Sequence, residues 1–339
     1  MDKCDPKTLL ELLEEIVKEY KWETYGKPSI LNVIESEDKV YVIVENRRDR
    51  ASIIGYGGII VKEVCKRLGG RKVIVLSYTD LLSKRRRILE AVRSLENIAK
   101  SLPADTKIIV ERILKLGAEE LFYPPRSIPN LPPIDSRVAV AFSGGVDSTA
   151  TLFIALKLGL NPIAVTVDPG PFIIPAHTKK SIGKILSKLK VEHHYIPPQG
   201  DFNEILRLAG LGYRVPCGAC SKIIEQTVVE YARRNNIRVI LFGDSLSTGR
   251  FSCRVFFDNI IRLNLPGFLS LSKADLTEIA MRAGHGELKH IYGCPLLQSS
   301  MKKHRWMKYI AIERILRETR AGILEPMDAL RYIKNILKL

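Results

Sequence analysis

The central part of the sequence predicts an α/β fold, a parallel β-sheet covered by helices. Apolar runs typical of strands occur at 137–142 (RVAVAF), 162–167 (PIAVTV) and 238–242 (RVILF). Segments with helical periodicity separate these runs, and each run is apolar throughout rather than alternating with polar residues. Strands that helices bury on both faces have this composition, so the pattern favours a parallel sheet.

The helices between these strands are indicated by apolar residues at three- and four-residue spacing. We predict them at 149–158, 176–189 and 222–235, with a further short strand at 194–196. The segment from 273 to the end is mostly helical in pattern and strongly basic around Lys302, Lys303 and Arg305. It therefore predicts a helical basic tail after the sheet.

The region before the sheet predicts a separate α+β domain. A helical pattern at 6–20 is followed by strand-like runs at 29–34 and 39–45, a helix at 59–68 and a third strand at 71–77. The helix at 59–68 stops at two consecutive glycines, which are a strong signal for a helix end. With the polar segment after the second strand, the order is helix, strand, strand, helix, helix, strand.

Prolines divide this region from the α/β region. Residues 123–135 (YPPRSIPNLPPID) carry five prolines, a density that forbids a regular helix or a central strand. We therefore predict a linker or wrapping segment there. The predicted division is an N-terminal domain at 1–100, a helical segment and linker at 101–135, the α/β domain at 136–295 and the C-terminal helical basic region at 296–339.

The composition narrows the class of protein. Lys and Arg exceed Asp and Glu enough to give a net charge of +16, which favours a polyanionic partner. There is no apolar run of about 18 residues, as a membrane-spanning helix would need, and the acidic N-terminus lacks a secretory pattern. We therefore expect a cytoplasmic protein with no membrane partner, and nucleic acid is the favoured polyanion.

The first strand of the α/β region runs directly into a turn rich in glycine and hydroxyl residues, Ser143-Gly144-Gly145-Val146-Asp147-Ser148. Glycines let a backbone turn tightly and approach a ligand, and the N-terminus of the following helix favours phosphate. Asp147 could cap that helix or help to hold a metal ion. An ordinary strand-to-helix turn could use glycine and a capping residue in the same way. The sequence has no Walker-type phosphate loop.

The full Ser-Gly-Gly-x-Asp-Ser string resembles the signature of the PP-loop ATP pyrophosphatases, and the resemblance covers about 135–295. It implies an adenine nucleotide alpha hydrolase-like fold in which ATP, with Mg²⁺, is cleaved between the α and β phosphates. It also implies ligands at the ends of later strands, where Asp244 would be a catalytic acid or a metal ligand. The nucleotide-binding residues so implied are Ala141, Phe142, Ser143, Gly144, Gly145, Asp147, Ser148, Asp168, Gly243 and Asp244.

The six cysteines are too few for a disulfide scaffold in a chain of this length, and two of them form a Cys-x-x-Cys pair, Cys217 and Cys220. A third thiolate could come from Cys294 in Gly-Cys-Pro, which we prefer, or from Cys253. Three thiolates suit an iron–sulfur cluster with one open iron, or a zinc site completed by another ligand. Persulfide chemistry, in which one cysteine resolves the other, is a further alternative.

The placement of this pair resembles that in PP-loop tRNA thiolases that make 2-thiouridine or 2-thiocytidine. The resemblance implies metal ligation by Cys217, Cys220 and Cys294, with a [4Fe-4S] cluster favoured over zinc, and a catalytic role for Cys217 and Cys220. Cys4 and Cys65 are expected to pack in the fold or to be idle.

A second glycine motif lies in the N-terminal region, where Ile54-Gly55-Tyr56-Gly57-Gly58 precedes a helix. The motif and the order of elements over about 6–78 resemble a type II KH domain, whose Gly-x-x-Gly loop clamps single-stranded RNA. The RNA-contacting residues so implied are Gly55, Tyr56, Gly57, Gly58, Lys62 and Lys66. The two central loop residues are often basic in RNA-binding members, so Tyr and Gly here also allow a KH-like structural adaptor.

Together these motifs predict an ATP-dependent tRNA sulfurtransferase. Its partners would be tRNA and a sulfur donor (sulfide, a persulfide or a carrier protein), and it could be a homodimer. Two alternatives remain from the residues: another PP-loop reaction, such as ligation, amidation or small-molecule thiolation, and a non-catalytic RNA-binding protein. The cysteines count against the first alternative, and the intact phosphate turn with Asp244 counts against the second.

Overall fold

The structure is a computed structural model that describes six stretches of the chain: 4–22, 26–36, 38–122, 128–256, 258–286 and 292–338. The described residues up to Arg86, together with Phe122, form one compact unit. The described residues of 87–121 and those from 128 onward form a second.

The first unit has the order of elements that the sequence predicts. These elements are α1 (Pro6–Tyr20), β1 (Ile30–Glu35), β2 (Lys39–Val44), α2 (Arg47–Ile54), α3 (Ile59–Arg67) and β3 (Lys72–Ser77). The strands form a sheet in the order β1-β2-β3, in which β1 and β2 are antiparallel and β2 and β3 are parallel. Leu9 and Ile16 of α1 are fully buried in the same apolar core as Val42 of β2.

A long helix, α4 (Tyr78–Ala99), leaves the first unit and enters the second. The second unit then contains α5 (Ala104–Glu119), β4 (Arg137–Ala141), α6 (Val146–Lys157), β5 (Asn161–Val167), α7 (Ala176–Leu189), β6 (His193–Ile196), α8 (Phe202–Gly210), α9 (Cys217–Arg234), β7 (Val239–Phe242), β8 (Cys253–Val255), β9 (Ile261–Asn264), α10 (Leu265–Phe268), α11 (Lys273–Arg282), α12 (Pro295–Lys303), α13 (Arg305–Arg320) and α14 (Pro326–Lys338).

The sheet of the second unit has the strand order β6-β5-β4-β7-β9-β8. All neighbouring strands are parallel except the edge pair β8–β9. Helices flank the sheet, and separate apolar clusters cover its two faces. The predicted α/β fold with a parallel sheet is therefore confirmed. The pair β8–β9 was not predicted, because its strands of three and four residues are too short to show a clear pattern.

The order of the strands reverses at β4. The chain passes from β4 to β5 on one side, and β7 later pairs with β4 on the other side. In open α/β sheets, ligands bind outside the carboxyl ends of the strands at such a reversal. The glycine turn after β4 lies at this point.

The helices before the sheet belong to its core. Ala91 and Leu95 of α4 and Ile109 of α5 are buried in the same cluster as Val138 of β4. The boundary between compact units therefore falls within α4, between Arg86 and Arg87, whereas the sequence suggested a domain end at 100. The four-part division remains a prediction.

Of the proline-rich segment, 123–127 lies outside the described residues, and 128–135 wraps along the second unit without regular structure. The Leu131 N–H donates to the Lys157 carbonyl, and the Ile134 N–H donates to the Gly159 carbonyl. Across the described stretches, no helix combines the length and the apolar character that a bilayer-spanning helix needs.

Candidate active site

The turn between β4 and α6 depends on glycine at one position. Gly144 has φ of +72°, in the left-handed region. A Cβ atom built there would lie 2.5 Å from Cγ1 of Ile182, which is fully buried in α7. Backbone conformation and packing therefore both require glycine at 144.

The two serines of the turn are hydrogen-bonded to each other. Ser148 Oγ donates to the Gly145 carbonyl at 3.1 Å and accepts from the Ser143 N–H at 3.3 Å. The two hydroxyl oxygens are 3.2 Å apart. Gly145 is the N-cap residue of α6 and has no side chain with which to cap it. The first turn of a helix leaves its N–H groups without intrahelical partners, so this end of α6 suits an anion.

Three further predicted residues lie around the turn. Ala141 is half-buried at the end of β4, and the Phe142 side chain is buried. The Phe142 N–H donates to the Val165 carbonyl and the Phe142 carbonyl accepts from Thr166 Oγ1, so a ligand would have to compete with these bonds. Gly243 follows β7 and lies against the turn, because a Cβ atom there would be 2.9 Å from the Ser148 nitrogen. The ends of two neighbouring strands therefore meet at the first turn of α6.

Some buried polar atoms have no hydrogen-bond partner among the described residues. One of them belongs to a residue that follows the turn directly in the chain, and another to a residue paired with the end of β7. These two atoms are Oγ1 of Thr149, which follows Ser148, and Oδ1 of Asn264, which is in register with Phe242. Buried polar atoms are nearly always paired, so unpaired ones indicate where water or a ligand belongs.

The predicted carboxylates lie after β4, β5 and β7, and each is already in an ion pair. The pairs are Asp147 with Lys273, Asp168 with Lys179, and Asp244 with Arg262. Carboxylate oxygens are suitable ligands for Mg²⁺. To bind Mg²⁺, each of these carboxylates would first have to release its basic partner. The sequence did not indicate these ion pairs.

Arg262 fixes the position of Asp244. Its Nη2 donates to Asp244 at 2.5 Å, its Nη1 donates to Glu225 at 2.5 Å, and its guanidinium lies 4.4 Å from the centre of the Phe242 ring. Arg262 is on β9, a strand that the sequence did not reveal. Its involvement therefore could not be seen before the fold was known.

Cys294 lies close enough to Cys217 and Cys220 for its charge to raise the pKa of both thiols. Burial raises the pKa of Cys220 to about 12, and the charges of Cys294 and Cys217 add to this effect. Cys217 and Cys220 lie within the first turn of α9 rather than before it, since the helix begins five residues earlier than predicted. Cys294 is the N-cap residue of α12.

The remaining candidate, Cys253, is the first residue of β8 and is buried in the core, with its Sγ 3.6 Å from the Ser252 hydroxyl. The charge of Cys294 contributes to the raised pKa of Cys217 and Cys220, whereas the raised pKa of Cys253 comes from its burial. In the part of the chain that the structure describes, no three His, Cys, Asp or Glu side chains are arranged closely enough to hold a metal ion. Thiols are the usual ligands of zinc and iron–sulfur clusters, and these three would have to lie closer together to hold either.

The C-terminal helices supply side chains to the cysteine group. Burial and the charge of Cys294 raise the pKa of Cys217, whereas Arg314 of α13 opposes this rise by its charge and a hydrogen bond. Nε of Arg314 donates to Glu318 at 3.1 Å, and the Tyr292 hydroxyl donates to the same carboxylate oxygen at 3.2 Å. Arg314 is a neighbour of the cysteines that the sequence did not indicate.

The same helices extend towards the phosphate turn. Tyr332 of α14 packs on Tyr292 with ring centres 5.6 Å apart. Burial raises the pKa of Tyr332, and the charges of Asp328 and Asp147 contribute. The predicted basic tail is therefore part of the surroundings of both the cysteines and the phosphate turn.

The glycine loop of the first unit is exposed. Gly55, Gly57 and Gly58 all have positive φ, and the Tyr56 side chain between them is 99% exposed. Lys62 is exposed on α3, and Lys66 forms an ion pair with Glu63 at 2.7 Å. The loop and Lys62 are open to a ligand. Lys66 could bind a phosphate only while it is also paired with Glu63, or after it has left Glu63.

Comparison with known proteins finds similarity both in sequence and in structure. No family model matches the chain. The chain is 33% identical over 223 residues to the uncharacterized protein MJ1638 of Methanocaldococcus jannaschii, and the match covers 66% of this chain and 81% of that protein.

Two solved structures are similar only in part. The U34-tRNA thiolase NcsA from Methanococcus maripaludis, solved with its [4Fe-4S] cluster, has a TM-score of 0.39 and 15% identity, and the match covers 68% of this chain and 79% of that one. The phosphoadenylyl-sulfate reductase from Candida auris, in a phosphate complex, has a TM-score of 0.33 and 12% identity, with coverage of 57% and 86%. Because these TM-scores and sequence identities are low, the function has to be inferred from this chain's own residues.

Proposed function

The chain belongs to the same family as MJ1638 of Methanocaldococcus jannaschii, and we propose that it is an ATP-dependent sulfurtransferase that acts on tRNA. The observation that carries the proposal is that one compact unit contains both the Ser143–Ser148 turn and the group of Cys217, Cys220 and Cys294. The turn supports activation by ATP, and the thiols support delivery of sulfur.

The turn would bind the pyrophosphate part of ATP through backbone N–H groups and the hydroxyls of Ser143 and Ser148. A carbonyl oxygen of the base attacks the α-phosphorus, which joins AMP to that oxygen and releases pyrophosphate. Sulfide or a persulfide sulfur then attacks the base carbon, and AMP leaves with the original oxygen. Asp147 would hold Mg²⁺, which would stabilise the charge developing on pyrophosphate. Asp244, after the neighbouring strand, is the proposed catalytic acid or second metal ligand.

The cysteine group would accept sulfur and pass it to the activated base. An iron–sulfur cluster or zinc ion would be held by Cys217, Cys220 and Cys294, and a cluster would supply an open iron for a sulfide ligand. Without a metal, a persulfide donor would first pass its outer sulfur to the thiolate of Cys217 or Cys220. After that sulfur attacks the base carbon, the other thiolate would attack the cysteine sulfur of the new S–S bond, which releases the thiolated base and leaves a Cys217–Cys220 disulfide for a thiol reductant to reopen. Arg314 would stabilise the Cys217 thiolate in either case, because a nearby cation favours the charged form of a thiol.

The acceptor is inferred from charge and from the first unit. The net charge of +16 suits a nucleic-acid partner. The exposed Gly55–Gly58 loop, at the N-terminus of α3, can approach an RNA backbone closely, as in the KH domains that the segment resembles. Lys302, Lys303 and Arg305 are exposed in the second unit and add positive surface there. The target base would have to leave its stack to react.

The test is a thiolation assay on anaerobically purified protein, with ATP, Mg²⁺, bulk tRNA that lacks thionucleosides, and as sulfur donor either sulfide or a small-molecule persulfide with a thiol reductant. We expect tRNA-dependent release of pyrophosphate and AMP, together with a thionucleoside that mass spectrometry detects after digestion. Pyrophosphate release that is indifferent to tRNA would overturn the proposal in favour of another PP-loop reaction. RNA binding without any release would favour a non-catalytic binder.

The matched variants are Cys294→Ser and Cys65→Ser. We expect Cys294→Ser to lose thionucleoside formation and to keep nucleotide binding, because it removes a thiol of the group and leaves the turn intact. Cys65, in α3 of the first unit, serves as the control cysteine and should be replaceable. Equal activity of the two variants would exclude Cys294 from sulfur transfer. Metal analysis and an absorption spectrum of the same preparations separate a cluster from zinc.

A further inference from the structure

Hydrogen bonds fix the backbone of Lys273 at the start of α11. Lys273 is the first residue of α11, which begins with a capping box formed by Ser272 and Asp275. The Lys273 N–H donates to the Ile323 carbonyl in the connection between α13 and α14 at 2.7 Å. The start of α11 is therefore fixed from two sides before the Lys273 side chain makes any contact.

The side chain of Lys273 ends at the phosphate turn. Its Nζ lies 2.6 Å from Oδ1 of Asp147, the second residue of α6. The two side chains are 32% and 35% exposed, so solvent and ligands can reach both. Ion pairs with this exposure contribute little to stability, so the pair can open at small cost.

The pair is not needed to hold α11 against α6. Leu276 and Ala280 of α11 are fully buried in the apolar cluster that also contains Ala150 and Ile154 of α6. The capping box and the bond to Ile323 fix the start of the helix independently. A purely structural role therefore leaves the placement of a lysine at the turn unexplained.

The electrostatics of the turn give it a role. If the turn binds ATP, as proposed above, a polyphosphate with several negative charges has to settle beside the Asp147 carboxylate. The negative charges of the phosphates and of the Asp147 carboxylate repel each other. The lysine ammonium sits on a flexible four-carbon stem and can move by several ångströms. A cation already stored at the turn would offset that repulsion.

We propose that Lys273 is the phosphate-binding lysine of this site. In the nucleotide-free protein it neutralises Asp147. When ATP binds, Lys273 moves from the carboxylate to the phosphate oxygens, and Asp147 becomes available to a divalent cation. The exchange rests on the proposed function of the turn, and it ties the binding of phosphate to the binding of metal.

The experiment measures binding by calorimetry with an ATP analogue that cannot be cleaved between the α and β phosphates, with and without Mg²⁺. Lys273→Met should weaken binding by about tenfold or more, because a charge-assisted contact to phosphate is lost. Lys273→Arg should retain most of the affinity. Arg282→Met is the matched control, since it removes a positive charge from the exposed end of the same helix and should bind like the unchanged protein.

Asp147→Asn supplies the second half of the test. It releases Lys273 and removes the repelling carboxylate, so binding without Mg²⁺ should become several times tighter, and the gain from adding Mg²⁺ should shrink. Wild-type affinity in Lys273→Met, or weaker Mg²⁺-free binding in Asp147→Asn, would overturn the exchange while leaving ATP binding in place. If the unchanged protein does not bind the analogue at all, the proposed function fails as well, and the two failures are thereby distinguished.

Discussion

The molecule contains two glycine turns that use the same local device in different surroundings. Each places a positive-φ glycine against a buried isoleucine: Gly144 against Ile182, and Gly55 against Ile60. A Cβ atom at either glycine would come within 2.5 Å of that isoleucine. Each turn also precedes the N-terminus of a helix.

The surroundings differ after that first glycine. The turn at 143–148 is bonded internally through its serines and is backed by Gly243 of the next strand. In the loop at 55–58, a Cβ atom on Gly57 would meet nothing within 4 Å, and Tyr56 is almost fully exposed. The same device therefore forms an internally bonded turn backed by a strand end in the first case, and an open loop with an exposed aromatic side chain in the second.

The largest effect is expected from Gly144→Ala. Left-handed backbone costs a non-glycine residue about 1–2 kcal/mol, and overpacking against Ile182 costs about 1–3 kcal/mol more. We expect the free energy of unfolding to fall by about 3 kcal/mol, as measured by chemical denaturation, with loss of nucleotide binding. Gly183→Ala, the neighbouring helix position with open space around it, is the control and should be neutral or slightly stabilising. Equal stability of the two variants would contradict the packing argument.

Gly145→Ala separates binding from folding. Gly145 has φ of −79°, and an added Cβ atom would meet only the Ser143 hydroxyl, at 3.4 Å. Stability should therefore hold, whereas the methyl group would occupy the space where phosphate approaches the backbone. Loss of one or two charge-assisted hydrogen bonds predicts an affinity for ATP about 10–100-fold weaker by calorimetry. Unchanged affinity would place the nucleotide elsewhere.

Tyr56→Ala tests the open loop. Stacking of a base on an aromatic ring contributes about 1–3 kcal/mol, so the affinity for single-stranded RNA should drop about tenfold or more. The thermal stability should not change, because the side chain is 99% exposed. Tyr56→Phe keeps the ring and should bind as the unchanged protein does in a fluorescence anisotropy titration. If Tyr56→Ala retains full affinity, the loop does not contribute to binding by stacking.

The smallest expected effect is a pH dependence of the free energy of unfolding, and it arises beside the turn at 143–148. Thr166 Oγ1 donates to the Phe142 carbonyl at 2.7 Å, so it must accept from Nε2–H of His193 at 2.8 Å. Burial, with the nearby His194, lowers the pKa of His193 below its usual 6.5. The folded state therefore binds fewer protons than the unfolded state, and the contribution to stability is present above about pH 6.5 and is lost as pH falls below it.

The check is the free energy of unfolding against pH for the unchanged protein and for His193→Gln. The slope between pH 5 and 7 should be shallower in the variant, since the titrating group is gone. All six histidines follow residue 176 in the chain, so the first unit should show no histidine-linked slope. An identical slope in the variant would assign the pH dependence to other groups.

Several features were predictable because they are local in the chain. The Ser143–Ser148 turn, the Gly55–Gly58 loop and the Cys217–Cys220 pair are contiguous strings whose backbone demands are visible in the residues themselves. The long apolar strands were predictable for the same reason, since burial on both faces leaves a continuous apolar run. The short strands β8 and β9 were missed, because pairing at a sheet edge stabilises them more than their own composition does.

The sequence by itself determined the two glycine turns, the order of the elements in the first unit and the α/β fold of the second unit. Only the tertiary structure decided that Cys253 is buried in the core, whereas the charge of Cys294 reaches Cys217 and Cys220. The tertiary structure also decided that Arg314 approaches Cys217 and that Lys273 neutralises Asp147 across 126 residues of chain. The physical reason is that a turn depends on dihedral angles and neighbours a few residues away. An ion pair or a thiol cluster depends on which helices pack together, and the whole core decides that packing.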